Sequence, residues 1–123
     1  MAARTVEIAG GGIAGLTMAT LLARRGWQVH VHEKSGELRE DGAALFLFEN
    51  GLRTLEDLGA YEAAIADGTF LERWESVDER FRCIQGDDPT QEARVWCIRR
   101  DSLLAALAAA AVRAGVEIST GST

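Results

Sequence analysis

Proline is nearly missing from this chain: Pro89 is the one instance in 123 residues. That excludes a proline-rich linker or a polyproline ligand. Cysteine is scarce too. Cys83 and Cys97 are too few for a disulfide scaffold, and neither belongs to a Cys-x-x-Cys pair. Both fall in apolar, strand-like stretches, so they are expected as buried, reduced thiols of a cytoplasmic protein. The two histidines, His30 and His32, are two apart in a strand-like run and share a face. Two imidazoles without a third donor make a poor metal site, so no metal is expected. Lys34 is the single lysine; the other 12 of the 13 basic residues are arginine, and the net charge is −6. A protein that neutralises phosphodiesters carries the opposite balance, so no nucleic-acid partner is expected. No apolar run approaches the roughly 18 residues that cross a bilayer. Met1 to Thr5 lead directly into a strand-like run, without the ordered regions of a signal peptide. Neither a membrane partner nor a leader is expected.

What is present is globular in kind. Hydrophobic residues make up 47% and charged residues 26% of the chain, and the length suits one domain with a real core. Val6 to Ala9 reads as a short strand, broken by Gly10-Gly11-Gly12. Ile13 to Arg25 fits a buried helix, with Arg24 and Arg25 in its last turn and Gly26 as the C-terminal stop. Trp27 to Glu33 alternates as a second strand. Strand, glycine turn, helix and strand within about 30 residues make a βαβ unit with a right-handed crossover. After a polar loop, Ser35 to Gly42, Ala43 to Phe48 is apolar. Asn50 is the expected N-cap of a helix carrying Leu52, Leu55 and Leu58 and stopped by Gly59. Tyr61 to Ala66 is a short helix. Phe70 to Ile84 reads as two strands or one interrupted strand, and Gln85 to Gln91 as a turn. Val95 to Ile98 is a strand. Asp101 or Ser102 is expected to cap an alanine-rich helix, Leu103 to Ala114, before a last strand, Val116 to Ser119.

Gly10-x-Gly12-x-x-Gly15 lies where its mechanism requires, after a strand and opening a helix. The first glycine permits the tight turn, the second a close approach of backbone to pyrophosphate, and the third close helix–strand packing. The helix N-terminus then offers free N–H groups and the positive end of its dipole to the phosphates. Glu33 lies 23 residues after Gly10, at the end of the second strand. A carboxylate there accepts hydrogen bonds from ribose hydroxyls and repels a 2′-phosphate. The spacing alone leaves FAD and NAD both open.

The residues after Glu33 go further. Glu33-Lys34-Ser35-Gly36-Glu37-Leu38-Arg39-Glu40-Asp41-Gly42-Ala43-Ala44-Leu45, then Phe48-Glu49-Asn50-Gly51-Leu52-Arg53-Thr54-Leu55 and Leu58-Gly59, resemble the N-terminal region of the single-component FAD-dependent aromatic hydroxylases. That family includes enzymes similar to p-hydroxybenzoate and salicylate hydroxylase. Within it, Gly26-Trp27 through His32-Glu33-Lys34-Ser35 is most similar to the methylhydroxypyridinecarboxylate oxygenase-like enzymes. Amine oxidases share the first βαβ unit but carry an Arg-x-x-x-Gly-Gly-Arg pattern after the acidic residue, which this chain lacks.

The resemblance implies an α/β, Rossmann-like FAD-binding fold of the glutathione-reductase type, incomplete here, with a few strands leading to a substrate sheet. It implies that residues 1–123 are the N-terminal part of an FAD-binding domain in a chain roughly three times longer, with residues 69–98 contributing to the substrate-side sheet. Gly10, Gly12, Ile13, Ala14 and Gly15 would hold the FAD pyrophosphate, and Glu33, with Lys34 beside it, the adenosine ribose. Arg39, in the Arg-x-x-Gly pattern, would lie along the FAD with Ala43 and Ala44 of the flavin loop. Arg100 would contact FAD from the start of the next helix, with Arg99 as the neighbouring alternative. An arginine fork suits phosphate, which it can bind bidentately. The family usually has Gly-x-Gly-Ile in the flavin loop; here Gly42-Ala43-Ala44-Leu45 puts a methyl group at Ala44. Phe46 and Phe48 follow that loop, where they either face the flavin or the substrate or, as is more common for such residues, belong to the core; Trp74, in the strand region leading toward the substrate sheet, is expected to be core. The implied reaction is hydroxylation of an aromatic or N-heteroaromatic ring with NADH or NADPH and O2. The implied partners are a small aromatic substrate and the remaining C-terminal part, in the same or a second polypeptide. No catalytic acid, base or nucleophile stands out, and in the family these would lie beyond Thr123. Competing readings are another FAD oxidoreductase with the same front half, such as an epoxidase or reductase, and a truncated, non-catalytic dinucleotide-binding module. The flavin-loop pattern argues against an NAD-dependent dehydrogenase.

Overall fold

A computed structural model of the chain describes residues 2, 4–39, 42–73, 75–86 and 93–122. Its first layer is a parallel sheet. β1 (Thr5–Ala9) pairs with β2 (Gln28–His32), and β2 pairs with β8 (Glu117–Ser119), in the order β1-β2-β8. The β1–β2 crossover is α1 (Ile13–Ala23). Val6, Ile8, Val29, Val31 and Ile118 point to one face of this sheet and join the core. Leu16 and Ala19 of α1 meet them there, fully buried.

The second layer is antiparallel. β3 (Ala44–Phe48) pairs with β7 (Val95–Arg99), and β4 (Thr69–Phe70) adds to the other edge of β7. A separate hairpin joins β5 (Glu75–Val77) to β6 (Cys83–Gly86). Two further helices, α2 (Glu49–Leu58) and α3 (Tyr61–Ile65), follow β3, and α4 (Arg100–Arg113) follows β7. α4 is the joint of the molecule, because it packs on α1, α3 and β7. Its buried residues include Leu103, Leu107, Ala106, Ala110 and Ala111; the small alanines let neighbouring helices approach closely.

The βαβ unit and the later helices fall where the residue pattern places them, but several boundaries move. α1 ends at Ala23, so Arg24 and Arg25 lie in the turn after it. Arg25 Nη1 still donates to the Leu21 carbonyl. α2 is capped at Phe48 and starts at Glu49, so Asn50 is inside the helix. β3 runs into α2 without a loop, and the Glu49 side chain is held by tertiary contacts, which set the start. α4 is likewise capped at Arg99, neither at Asp101 nor at Ser102. Asp101 Oδ1 instead accepts from the Ser102 amide within the first turn.

Burial brings further corrections. Cys83 is exposed and Cys97 only half-buried, both as free thiols; β6 pairs only with β5 among the described residues, away from the core. Phe46 and Phe48 are 59% and 54% exposed rather than core. They alternate along β3 with Leu45 and Leu47, which take the core side. Phe70 to Ile84 resolves into β4, β5 and the start of β6, with a turn at Phe81, whose φ is 58°. Trp74 lies outside the described residues.

An ion network ties β7 to α2. Glu49 Oε2 accepts from the Arg94 amide at 3.1 Å and from Arg94 Nε at 3.0 Å, and Glu49 Oε1 accepts from Arg94 Nη2 at 2.9 Å. Arg94 Nη1 reaches Glu56 at 2.6 Å, and its guanidinium lies over the Tyr61 ring. The Arg94 hydrogen bonds hold the Glu49 carboxyl down from 4.5 to about 2. A depressed carboxylate stabilises the fold above its unfolded value and ceases to do so as pH falls through its folded one. Stability should therefore decline between pH 4.5 and pH 2, and Glu49→Gln should flatten that decline. Urea midpoints measured across this range check it; an unchanged pH profile in the variant would refute the assignment.

Candidate functional site

The site is built at the carboxyl ends of β1 and β2. Gly10 has a φ of 104° and turns the chain out of β1; its amide donates to the His32 carbonyl at 2.7 Å. Gly12, extended at φ −80° and ψ −174°, is the N-cap of α1. Ile13, Ala14 and Gly15 form the first turn of the helix. No acidic residue lies in that turn, so its N–H groups and positive dipole end remain available to an anion. A Cβ on Gly15 would be driven into the Gly10 carbonyl oxygen. That contact is backbone on both sides and cannot be relieved by a rotamer change.

Glu33 follows β2 directly. Its Oε2 accepts from the Gly11 amide at 2.7 Å and its Oε1 from the Ser35 amide at 2.9 Å. These two backbone bonds, Ser35 first, hold its carboxyl below the usual range, so it is ionised at neutral pH. The Ser35 side chain adds a further bond, and a carboxylate with about four lone-pair positions still has capacity for another donor. Lys34 is exposed at the rim. Ala9, Gly10, His32, Glu33, Lys34 and Ser122 line a cleft of about 380 Å³. This is the crevice beyond the strand ends where open parallel sheets bind ligands.

The loop after Glu33 folds back over the glycine turn. A Cβ on Gly11 would lie 2.5 Å from Leu38 Cδ2, so Leu38 rests on the turn and brings Arg39 to its side. The Arg39 guanidinium is exposed, 3.5 Å from Glu37. Ala43 and Ala44 are exposed, and Ala44 opens β3 opposite Arg99. That pairing places the next residue, Arg100, against the loop: its Cδ would be 3.0 Å from a Cβ on Gly42. Arg99 instead engages Asp101 through Nε at 2.9 Å and also through Nη2. Of the two adjacent arginines, Arg100 is the one whose side chain lies on the start of the flavin-type loop.

The structure therefore gathers two groups. Gly10, Gly12, Ile13, Ala14, Gly15, Glu33 and Lys34 share the strand ends, while Ala43, Ala44 and Arg100 share the β3–β7 junction. Three residues escaped the sequence reading. Gly11 is the unspecified position of the fingerprint, although its place in a three-glycine run is a signal. Leu38 lies in a polar loop and carries no signal. Ser122 joins the site because the segment after β8 is anchored, its amide donating to the Glu33 carbonyl at 2.9 Å and that of Gly121 to the Ser35 carbonyl at 2.7 Å.

Residues 3–123 match the FAD binding domain family. The chain belongs to that family. It is 38% identical to 2-heptyl-3-hydroxy-4(1H)-quinolone synthase of Mycobacteroides abscessus, over 99% of this chain and 33% of that protein. It is 34% identical to kynurenine 3-monooxygenase of Xanthomonas euvesicatoria, over 94% of this chain and 27% of that one. Among solved structures, 2-methyl-3-hydroxypyridine-5-carboxylic acid oxygenase superposes with a TM-score of 0.88 at 37% identity, covering 98% of this chain and 32% of the oxygenase. PqsL of Pseudomonas aeruginosa shares the fold, with a TM-score of 0.77 at 22% identity, covering 97% of this chain and 33% of PqsL. The chain thus spans about a third of the curated relatives it matches. The family's cofactor is FAD, and the backbone cradle with its adjoining carboxylate fits the adenosine diphosphate half of that molecule. No described helix is long and apolar enough to cross a membrane.

The Gly15 contact yields a direct test. Gly15→Ala should cost about 1–3 kcal/mol through forced displacement of α1 from β1. Gly36→Ala, at a position where a Cβ meets nothing within 4 Å, should leave the melting temperature nearly unchanged. Equal melting temperatures for the two variants would refute the close packing.

Proposed function

We propose that this chain supplies the adenosine and pyrophosphate site of an FAD-dependent monooxygenase. The enzyme hydroxylates an aromatic or N-heteroaromatic ring with NADH or NADPH and O2. The observation that carries the reading is the convergence of the α1 N-terminus and the Glu33 carboxylate on one cleft. The likeness to the pyridine carboxylate oxygenase adds support, since it extends over the antiparallel sheet as well as the βαβ unit. Redox chemistry with NAD(P)H and O2 comes from the bound flavin; this chain's residues bind and orient. Amides at Gly12 to Gly15 face the pyrophosphate; Gly12 leaves room for its approach, while the turn at Gly10 and the close packing at Gly15 aim those amides. The remaining lone-pair capacity of Glu33 accepts from the ribose, and Lys34 closes the rim. Arg100, with Arg39 beside the loop, supplies positive charge along the cofactor. Ala43 and Ala44 form the loop backbone that approaches the flavin.

On this reading residues 1–123 are the N-terminal part of an FAD-binding domain. The antiparallel strands within residues 69–98 lead toward the substrate side, and the small aromatic substrate is held together with the remainder of the enzyme. The setting is the cytoplasm.

The reading is tested by ligand competition. FAD titrated into the purified chain should quench its own fluorescence saturably. ADP should displace it, whereas FMN, which lacks the adenosine half, should not. Glu33→Ala should weaken FAD and ADP alike by about ten- to a hundredfold, the worth of roughly 1.5–3 kcal/mol for hydrogen bonds to a charged acceptor. Displacement by FMN as effective as by ADP, or an unaltered affinity in Glu33→Ala, would overturn it.

A further inference from the structure

The face of the parallel sheet opposite α1 carries a second polar cluster, which shares only His32 and Ser122 with the lining of the nucleotide cleft. Along β1 and β2 the core takes Val6, Ile8, Val29 and Val31, so the alternate residues Glu7, His30 and His32 turn to the other face. The parallel register sets Glu7 beside His30. His32 Nε2 lies 2.5 Å from Glu7 Oε2, and His30 Nδ1 lies 3.4 Å from the same oxygen. One donor atom from each residue falls within a 4.8 Å span of the others, and the two imidazole centroids are 4.1 Å apart.

The remaining nitrogens of both rings are also held. His30 Nε2 is 2.8 Å from Ser119 Oγ, and His32 Nδ1 is 3.2 Å from Ser122 Oγ. Without a cation, His32 Nε2–H donates to Glu7 Oε2; a cation that takes the place of that proton leaves the outer nitrogens to donate to the serine hydroxyls and the inner nitrogens to offer their lone pairs. Each ring is thereby oriented by one hydroxyl while its opposite nitrogen faces a common point with a carboxylate oxygen. This is the arrangement in which metal-ligating histidines are normally fixed. The spacing of the two histidines leaves them one donor short, and the β1–β2 pairing supplies it.

We propose that Glu7, His30 and His32 bind a divalent transition-metal cation of the Zn2+ class, with water completing the coordination. Two imidazoles and a carboxylate suit Zn2+ and Co2+ far better than Mg2+, which prefers oxygen ligands. Donors on a tetrahedral zinc stand about 3.3 Å apart, as bond lengths near 2.0–2.1 Å require. The exposed Glu7 side chain has room to withdraw from His32, and the donors, now spread over as much as 4.8 Å, draw together on the cation. Bound cation would clip β1 to β2 and, through the serines, to the end of β8, next to the cleft that His32 also lines.

The test is Co2+ titrated into the chelator-treated chain. Intense visible d–d bands should grow to one equivalent and be displaced by Zn2+ but not by Mg2+. His30→Ala and His32→Ala should each lower the affinity at least tenfold. Ser119→Ala should lower it about ten- to a hundredfold, as loss of a ligand-orienting partner does. A Cys83→Ser, Cys97→Ser double variant should bind as the unaltered chain does. Far-UV circular dichroism checks folding, and Glu7→Gln, at an exposed position, gives a decisive readout should a histidine variant not fold. No d–d band, an affinity unaltered in the histidine or Glu7 variants, or a loss confined to the cysteine variant would overturn the proposal.

Discussion

The carbonyl oxygen of Gly10 occupies the place where a side chain on residue 15 would begin, and the rest of the site depends on that contact. It sets how near α1 comes to the end of β1. At that distance the first turn of the helix opens onto the strand ends, and Gly11 is left buried between Leu38 and Glu33. A larger residue at 15 would tilt the helix away and separate its amides from the carboxylate they are meant to complement. Close packing here is a requirement of binding geometry as well as of stability.

Charge is arranged on the same small scale. The chain carries a net −6, yet the first turn of α1 holds no acidic residue, and its backbone amides make a locally positive end. Glu33 stands at the boundary of that field. Its bonds to the Gly11 and Ser35 amides keep it ionised and fix it between two loops. A carboxylate held this way is already ordered, so a donor that meets it is spared part of the entropic cost of binding.

The second sheet extends the site rather than enclosing a separate one. Antiparallel pairing of β3 with β7 sets Ala44 against Arg99, and the immediate start of α4 then delivers Arg100 to the loop at Gly42. α4 packs on α1 and on β7 and so contacts both layers. The Arg94 network with Glu49 and Glu56 fixes the entry of β7 against α2. Phe46 and Phe48 are left on the outer face of the sheet, following the loop at Gly42 to Ala44.

How much could be read from the chain alone follows from the range of each interaction. The βαβ unit, the glycine turn, the helix stop near Gly26 and the acidic residue after β2 are local features. Periodicity and backbone freedom within some 30 residues dictate them, and the motif from Glu33 to Gly59 carried the family resemblance. Tertiary structure decided the rest. The starts of α2 and α4 moved because strands run straight into them and distant partners hold their first turns. Phe46 and Phe48 emerged because β3 offers only one face to the core, and apolarity does not say which residues take it. Leu38, Ser122 and Glu7 as the third member of the histidine cluster come from segments 23 to 90 positions away from their partners. Only the pairing of strands brings those segments together, and strand pairing is the long-range information that local residue pattern does not contain.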